Sequence, residues 1–159
     1  MKNLAYLNNP LVSPREVKFL KGRKYIANLN HIDQIWKHLR TRYGNTLAVK
    51  NLRGKIQEEF SYLELEDLIK KASNAFFYFG LRKGDVVTII SENSPRWLIA
   101  DQAIMRLGAI DAVRGTNSPS VELDYIIKHS KSKGLIVQSN KVWSKLENKE
   151  ELLKDLKFI

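Results

Sequence analysis

From Val86 onward the chain alternates short, wholly apolar runs with longer stretches that are apolar at helical spacing, and few folds accept that order. The turn Lys83-Gly84-Asp85 leads into Val86-Val87-Thr88-Ile89-Ile90, a run that predicts a strand buried on both faces. Ser94 then predicts an N-cap with Pro95 at the first helical position. Residues 96–107 are apolar nearly all round (Trp97, Leu98, Ile99, Ile104, Met105), and Gly108 ends them. Residues 110–113 predict a second strand, and Pro119 opens a helix carrying Val121, Leu123, Ile126 and Ile127. Ser132-Lys133-Gly134 leads to Leu135-Ile136-Val137, a third strand. Strand, helix, strand, helix, strand, with strands this apolar, implies an α/β fold: a parallel sheet joined by right-handed crossovers.

The segments before Val86 are read from their caps and turns. Ile32, Ile35, Trp36 and Leu39 recur at helical spacing, with Asn30 as a cap and Gly44 as a stop. Two short strands, 46–50 and 59–61, flank a turn at 51–54. Ser61 and Glu64 predict a capping box for a helix with Leu65, Leu68, Ile69, Ala72, Phe76 and Phe79 on one face, and Gly80 suits its left-handed end. Residues 141–156 predict one or two short, charged helices. Lys157-Phe158-Ile159 then reads as the opening of another buried strand, so the sheet is expected to be incomplete and the chain truncated.

Charge divides the chain unevenly. Lys and Arg number 27 against 17 Asp and Glu, a net charge of +10 over 159 residues. Twelve basic and four acidic residues fall within 1–60, while 61–120 hold seven of each. Residues 1–30, with Pro10, Pro14 and a short helix expected near Glu16, are therefore read as a basic N-terminal extension, and 31–159 as one α/β unit. A basic face of this kind is either a solvated surface or a contact for phosphate, an anionic membrane or an acidic partner. No cysteine is present, which excludes disulfides, thiolate metal sites and a cysteine nucleophile. No apolar run approaches the ~20 residues of a membrane span, and Asn8-Asn9-Pro10 interrupts the start, so a cytoplasmic protein is the expectation, with peripheral membrane attachment left open by the basic excess. No nucleic-acid partner is expected.

Chemistry is not specified by these residues alone. Neither a Gly-x-x-x-x-Gly-Lys-Ser/Thr nor a Gly-x-Gly-x-x-Gly phosphate cradle occurs. His31, His38 and His129 lack metal-ligand spacing, and no carboxylate pair is marked as catalytic.

Residues 91–120 carry a resemblance. Ser-Glu-Asn-Ser-Pro-Arg-Trp-Leu-Ile-Ala-Asp-Gln-Ala-Ile-Met-Arg-Leu-Gly-Ala-Ile-Asp-Ala-Val-Arg-Gly-Thr-Asn-Ser-Pro-Ser closely resembles the adenylate-forming, acyl-activating superfamily. It is most similar to the acyl–acyl carrier protein synthetases and long-chain fatty-acid–CoA ligases of the cyanobacterial and plastid type. Many members place a proline after the second strand; Val113-Arg114-Gly115 stands here instead, which is similar to the acyl carrier protein branch. The resemblance covers about 32–159 and none of 1–30.

It implies the N-terminal part of the large domain of such a synthetase, in which a fatty acid is adenylated by ATP with Mg and passed to a thiol of acyl carrier protein or CoA. The family's phosphate loop, nucleotide motif, ribose-binding aspartate and catalytic lysine have no counterpart here. No catalytic, cofactor-binding or metal-binding residue is therefore assigned, and the chain is expected to be inactive alone. A non-catalytic module that holds an acidic partner or a membrane surface is the alternative.

Three residues are candidates for contact with substrate or partner: Arg114, Asn93 and Trp97. Arg114 ends a strand, where ligands gather in open sheets, and serves either as an ion pair or as a contact. Asn93 either bonds the backbone at the strand-to-helix turn or lines the site. Trp97 is either core or pocket wall. Gly115 is expected to supply backbone freedom.

Overall fold

A computed structural model describes residues 29, 31–52 and 57–159. The helix expected near Glu16, the Asn30 cap and half of the turn at 51–54 lie outside the described residues.

Helix α1 (Gln34–Tyr43) opens the described chain, its C-cap Gly44 at φ 46°. Strands β1 (Leu47–Lys50) and β2 (Glu59–Ser61) form a small antiparallel sheet with an irregularity between Leu47 and Val49. Helix α2 (Tyr62–Tyr78) begins on the expected capping box: the Ser61 hydroxyl accepts from the Glu64 amide at 3.3 Å, and Glu64 accepts from the Ser61 amide at 2.9 Å. Gly80, at φ 93°, turns the chain out of that helix.

The α/β unit follows as expected: β3 (Val86–Ile90), α3 (Pro95–Arg106), β4 (Ile110–Arg114), α4 (Ser120–His129) and β5 (Gly134–Val137). The three strands are parallel in the order β4-β3-β5, with β3 central. Two short helices, α5 (Asn140–Lys145) and α6 (Lys149–Asp155), then pack back. Phe158 makes a single parallel bridge to Gly134, beside β5.

Alternation along β3 decides which helices cover which face. Val87 and Ile89 point into one cluster with Leu81, Ile104 and Ala109, under α2 and α3. Ile90 points the other way, into a cluster with Leu123, Ile127, Leu135, Val142, Leu146 and Leu152, under α4, α5 and α6. Thr88 on that second face meets the Ser132 hydroxyl at 2.7 Å, which satisfies two buried hydroxyls at once. A third cluster, built on Leu65, Ile69 and Ala103, seats α2 on α3 and on the small sheet.

The expectation of an all-round apolar α3 needs refinement. Its buried residues include Asp101 and Gln102, and these polar groups bond each other and Trp36 (Gln102 Nε2 to Asp101 at 2.7 Å; Trp36 Nε1 to Gln102 at 2.7 Å). Satisfied pairwise, they can sit beside Ala103 and Ile104 without leaving a bare polar atom.

Candidate functional site

In a parallel sheet the carboxyl ends of the strands converge on one rim, and three loops meet there: 91–94 after β3, 115–118 after β4 and 138–139 after β5. Their side chains bind one another. Glu92 receives two bonds from Thr116, one from its amide at 2.9 Å and one from its hydroxyl. The Glu92 amide in turn donates to Gln138 Oε1 at 2.8 Å, and the Gln138 amide to the carbonyl of Ile90 at 3.0 Å. Lys145 adds a bond to the Thr116 carbonyl at 2.6 Å. The two Thr116 bonds, hydroxyl first and amide second, favour the ionised form and hold the Glu92 carboxyl below its ordinary range. Glu92 is thus a fixed anion that ties β4 to β3, while Gln138 ties β5 to β3.

The sequence-derived candidates stand around this clamp. Arg114 donates from Nε to Glu122 at 3.1 Å and from Nη1 to the carbonyl of Val113 at 2.7 Å. Both Arg114 and Glu122 side chains remain nearly half exposed, so the pair is open to exchange with another anion. Asn93 is exposed and makes no hydrogen bond among the described residues; its two neighbours make the turn bonds instead, Glu92 as above and Ser94 by accepting from the Trp97 amide at 3.1 Å. Asn93 does line a hollow of about 330 Å³ with Val49, Lys50, Ser94, Trp97 and Leu98. Trp97 forms a wall of that hollow and also packs on the cluster of Val87, Ile89 and Ile104. Its indole N–H is buried and has no partner among the described residues.

Gly115 departs from its expected role. It is not among the positive-φ residues, and a Cβ built on it would meet Glu92 at 3.7 Å, an ordinary contact. Neither conformation nor space demands glycine there. Sequence reasoning missed Glu92, Thr116 and Gln138 as a group. Their bonds span 24 and 46 residues, and no short-range spacing announces them.

Among the described residues no group of three His, Asp or Glu is gathered for a metal. On the rim, Glu92 is bonded to Thr116 and to the Gln138 side chain.

Comparison with known proteins places this architecture. The AMP-binding enzyme family matches residues 36–158. A probable acyl-activating enzyme 16 of Arabidopsis thaliana chloroplasts is 31% identical over 115 residues, which is 72% of this chain and 16% of that protein. A long-chain-fatty-acid–[acyl-carrier-protein] ligase from chloroplasts of the same plant is 27% identical over 128 residues, 80% of this chain and 18% of that protein. Among solved structures, the N-terminal domain of FACL13 from Mycobacterium tuberculosis aligns with a TM-score of 0.71 at 18% identity, over 82% of this chain and 33% of that one. The Klebsiella oxytoca NpsA N-terminal subdomain gives 0.63 at 24% identity, over 70% and 27%. This chain spans less than a fifth of the curated relatives' length, and its strands and helices are those of the N-terminal subdomain fold. The chain belongs to the AMP-binding enzyme family.

Proposed function

We propose that this chain is the N-terminal portion of an ATP-dependent fatty-acid ligase, one that joins a fatty acid to the thiol of acyl carrier protein or CoA, and that it makes no acyl-adenylate alone. The observation that carries the reading is the family match over 36–158 together with the identity to a fatty-acid ligase over most of the chain. Residues 31–159 form part of the AMP-binding domain in this reading, and 1–30 a basic extension that brings the chain to an anionic membrane surface. Asn93 and Arg114 are its contact residues for substrate or partner. Support comes from the exposed Asn93 amide at the mouth of the hollow, and from an Arg114 whose exposed ion pair can be traded for a ligand carboxylate or an acidic partner. Trp97 contributes a wall of the same hollow.

Adenylyl transfer depends on positioned charge around the phosphates, and of the rim's charged groups Glu92 is bonded to Thr116 and Arg114 to Glu122. The test is ATP–pyrophosphate exchange with a long-chain fatty acid and purified chain. No exchange above a heat-denatured control is expected. Exchange by the chain alone overturns its inactivity, and the reading frames after the Ile159 codon test the rest. A Ser/Thr-Gly-rich phosphate loop encoded there supports the ligase, and its absence from every frame favours a binding module.

A further inference from the structure

At the far end of α3 from Asn93, helices α1, α2 and α3 enclose a second hollow of about 440 Å³ on which four cations converge. Lys37 and Arg40 come from α1, Lys70 from α2 and Arg106 from the last turn of α3. Pro95 and Arg106 bound α3, so the hollow lies about 16 Å along that helix from the strand-end rim. It is a separate place on the molecule.

Two carboxylates share the hollow, Asp33 and Glu66. Glu66 is fully engaged. Its side chain is 2% exposed, and its two oxygens accept separately from Lys70 at 2.8 Å and Arg40 at 2.9 Å. Burial works to raise its pKa, and the bonds from Lys70 and Arg40 overcome this to hold it low. That triad has a sufficient structural explanation, because it ties α1 to α2. It does not explain Lys37 or Arg106. Lys37 is exposed and joins no carboxylate among the described residues. Arg106 faces Asp33 at 3.9 Å, too long for a hydrogen bond. Arg40 meets Glu66 and Asp67 through Nη1 alone, which leaves its other nitrogens available, and Lys70 uses one of three N–H groups. Four cations outnumber the two acids of the lining, and with Asp67 counted the hollow stays net positive.

We propose that this hollow binds a small, multiply charged oxyanion of the phosphate class, held by Lys37, Arg40, Lys70 and Arg106. Two guanidinium groups present forked donors to tetrahedral oxygens, and two ammonium groups add point charge. The engaged Glu66 orients Arg40 and Lys70 and offsets one of their two charges. The proposal does not rest on the ligase reading, because no residue of the strand-end rim takes part.

The experiment is isothermal titration calorimetry of the whole chain with inorganic phosphate and with pyrophosphate, at fixed pH and ionic strength. Saturable binding is expected. The double variant Lys37→Gln/Arg106→Gln, which leaves the Arg40–Glu66–Lys70 triad intact, should bind about tenfold more weakly or worse, since charge-assisted bonds are lost. Lys141→Gln/Lys154→Gln removes the same charge elsewhere and should bind like the parent. Thermal melts of both variants establish that they fold. Absence of saturable heat with either anion, or equal loss in both variants, overturns the site. A vesicle arm separates the sources of phosphate. Selective loss of retention on phosphatidic acid vesicles in Lys37→Gln/Arg106→Gln assigns the group to a lipid headgroup; unchanged retention, with phosphate binding lost, assigns it to a free phosphate.

Discussion

Asp101 is 7% exposed on α3, and its carboxyl titrates at about 6. Burial is the main cause; the bond from Gln102 pulls the other way, and the neighbouring carboxyl of Asp111 adds to the rise. Because the folded-state value lies above the ordinary carboxylate value, the folded chain binds a proton that the unfolded chain has released. This group therefore destabilises the fold progressively as pH rises from about 4 to about 6, and fully above that. Glu66 and Asp85 have the opposite sign: each stays low, burial notwithstanding, through bonds from lysine or arginine, so their contribution is lost only on stronger acidification. Between pH 7.5 and 5.5 Asp101 should dominate, and the melting temperature should rise on acidification. Asp101→Asn keeps an acceptor for Gln102 and removes the charge. It should melt higher than the parent at pH 7.5 and flatten the rise. Identical slopes for parent and variant would show that Asp101 is not the cause. At Trp97 the orphaned indole N–H makes a different forecast. Trp97→Phe removes a buried unsatisfied donor as well as contact area, and should change stability by no more than about 1 kcal/mol. Trp97→Ala should cost about 3 kcal/mol, the low end for a large aromatic because the ring is only partly buried. Chemical denaturation of the two variants checks the gap; equal losses would show that a phenyl ring recovers none of the indole's packing.

Two helix starts were legible because their physics is local, whereas that of α1 was not: Asp33, with no side-chain cap bond, and not Asn30 precedes its first residue. Ser61 with Glu64, and Ser94 with Pro95, lie within one turn, and both caps form as their spacing predicts. Contacts that cross the fold were not legible. Trp36 reads as one apolar position among several, yet its N–H reaches Gln102 across 66 residues. Asn93 has the composition of a turn-bonding residue, but the bonding falls to Glu92, whose partners arrive from β4 and β5. The candidate site was thus legible as a location, the carboxyl ends of apolar strands, and not as a set of partners. Gly134 shows the same limit. In sequence it looks like a turn residue before β5, whereas in the fold Phe158 lies across it. A Cβ on Gly134 would come within 2.3 Å of the Phe158 ring, which stacks on Phe76 at 5.4 Å between centroids. Gly134→Ala should displace that ring and destabilise the chain by about 1–3 kcal/mol. In a Phe158→Ala background the same substitution should cost little, because the clash is gone. A double-mutant cycle measured by urea denaturation reads the difference. Additive losses would mean that glycine is required for its backbone alone.

Two opposing forces act between whole molecules. Phe77, Tyr78 and Phe79 at the end of α2 are 53%, 86% and 51% exposed, and Ile159 is 52% exposed. Phe79 lies 6.0 Å from the ring of Phe158, the residue that bridges Gly134 at the β5 side of the sheet. An apolar surface of this kind favours self-association. The net charge of +10 opposes it. The two respond differently to salt. Repulsion between exposed charges reaches about 10 Å at 0.1 M ionic strength and about 3 Å at 1 M, whereas apolar contact is not screened. The chain should therefore sediment as a monomer at low salt and associate reversibly as salt rises. Tyr78→Ser, at the most exposed of these positions, should raise the salt needed, and Phe79→Ser, which also gives up its contact with Phe158, should do the same. Sedimentation velocity across a sodium chloride series, with the variants beside the parent, checks the forecast. A chain that stays monomeric at high salt would show that the aromatic face is too small or too broken by Arg82, stacked 4.1 Å over Phe77, to hold two copies together. Association that weakens with salt would assign it to charge, with Lys and Arg of one copy meeting acids of another.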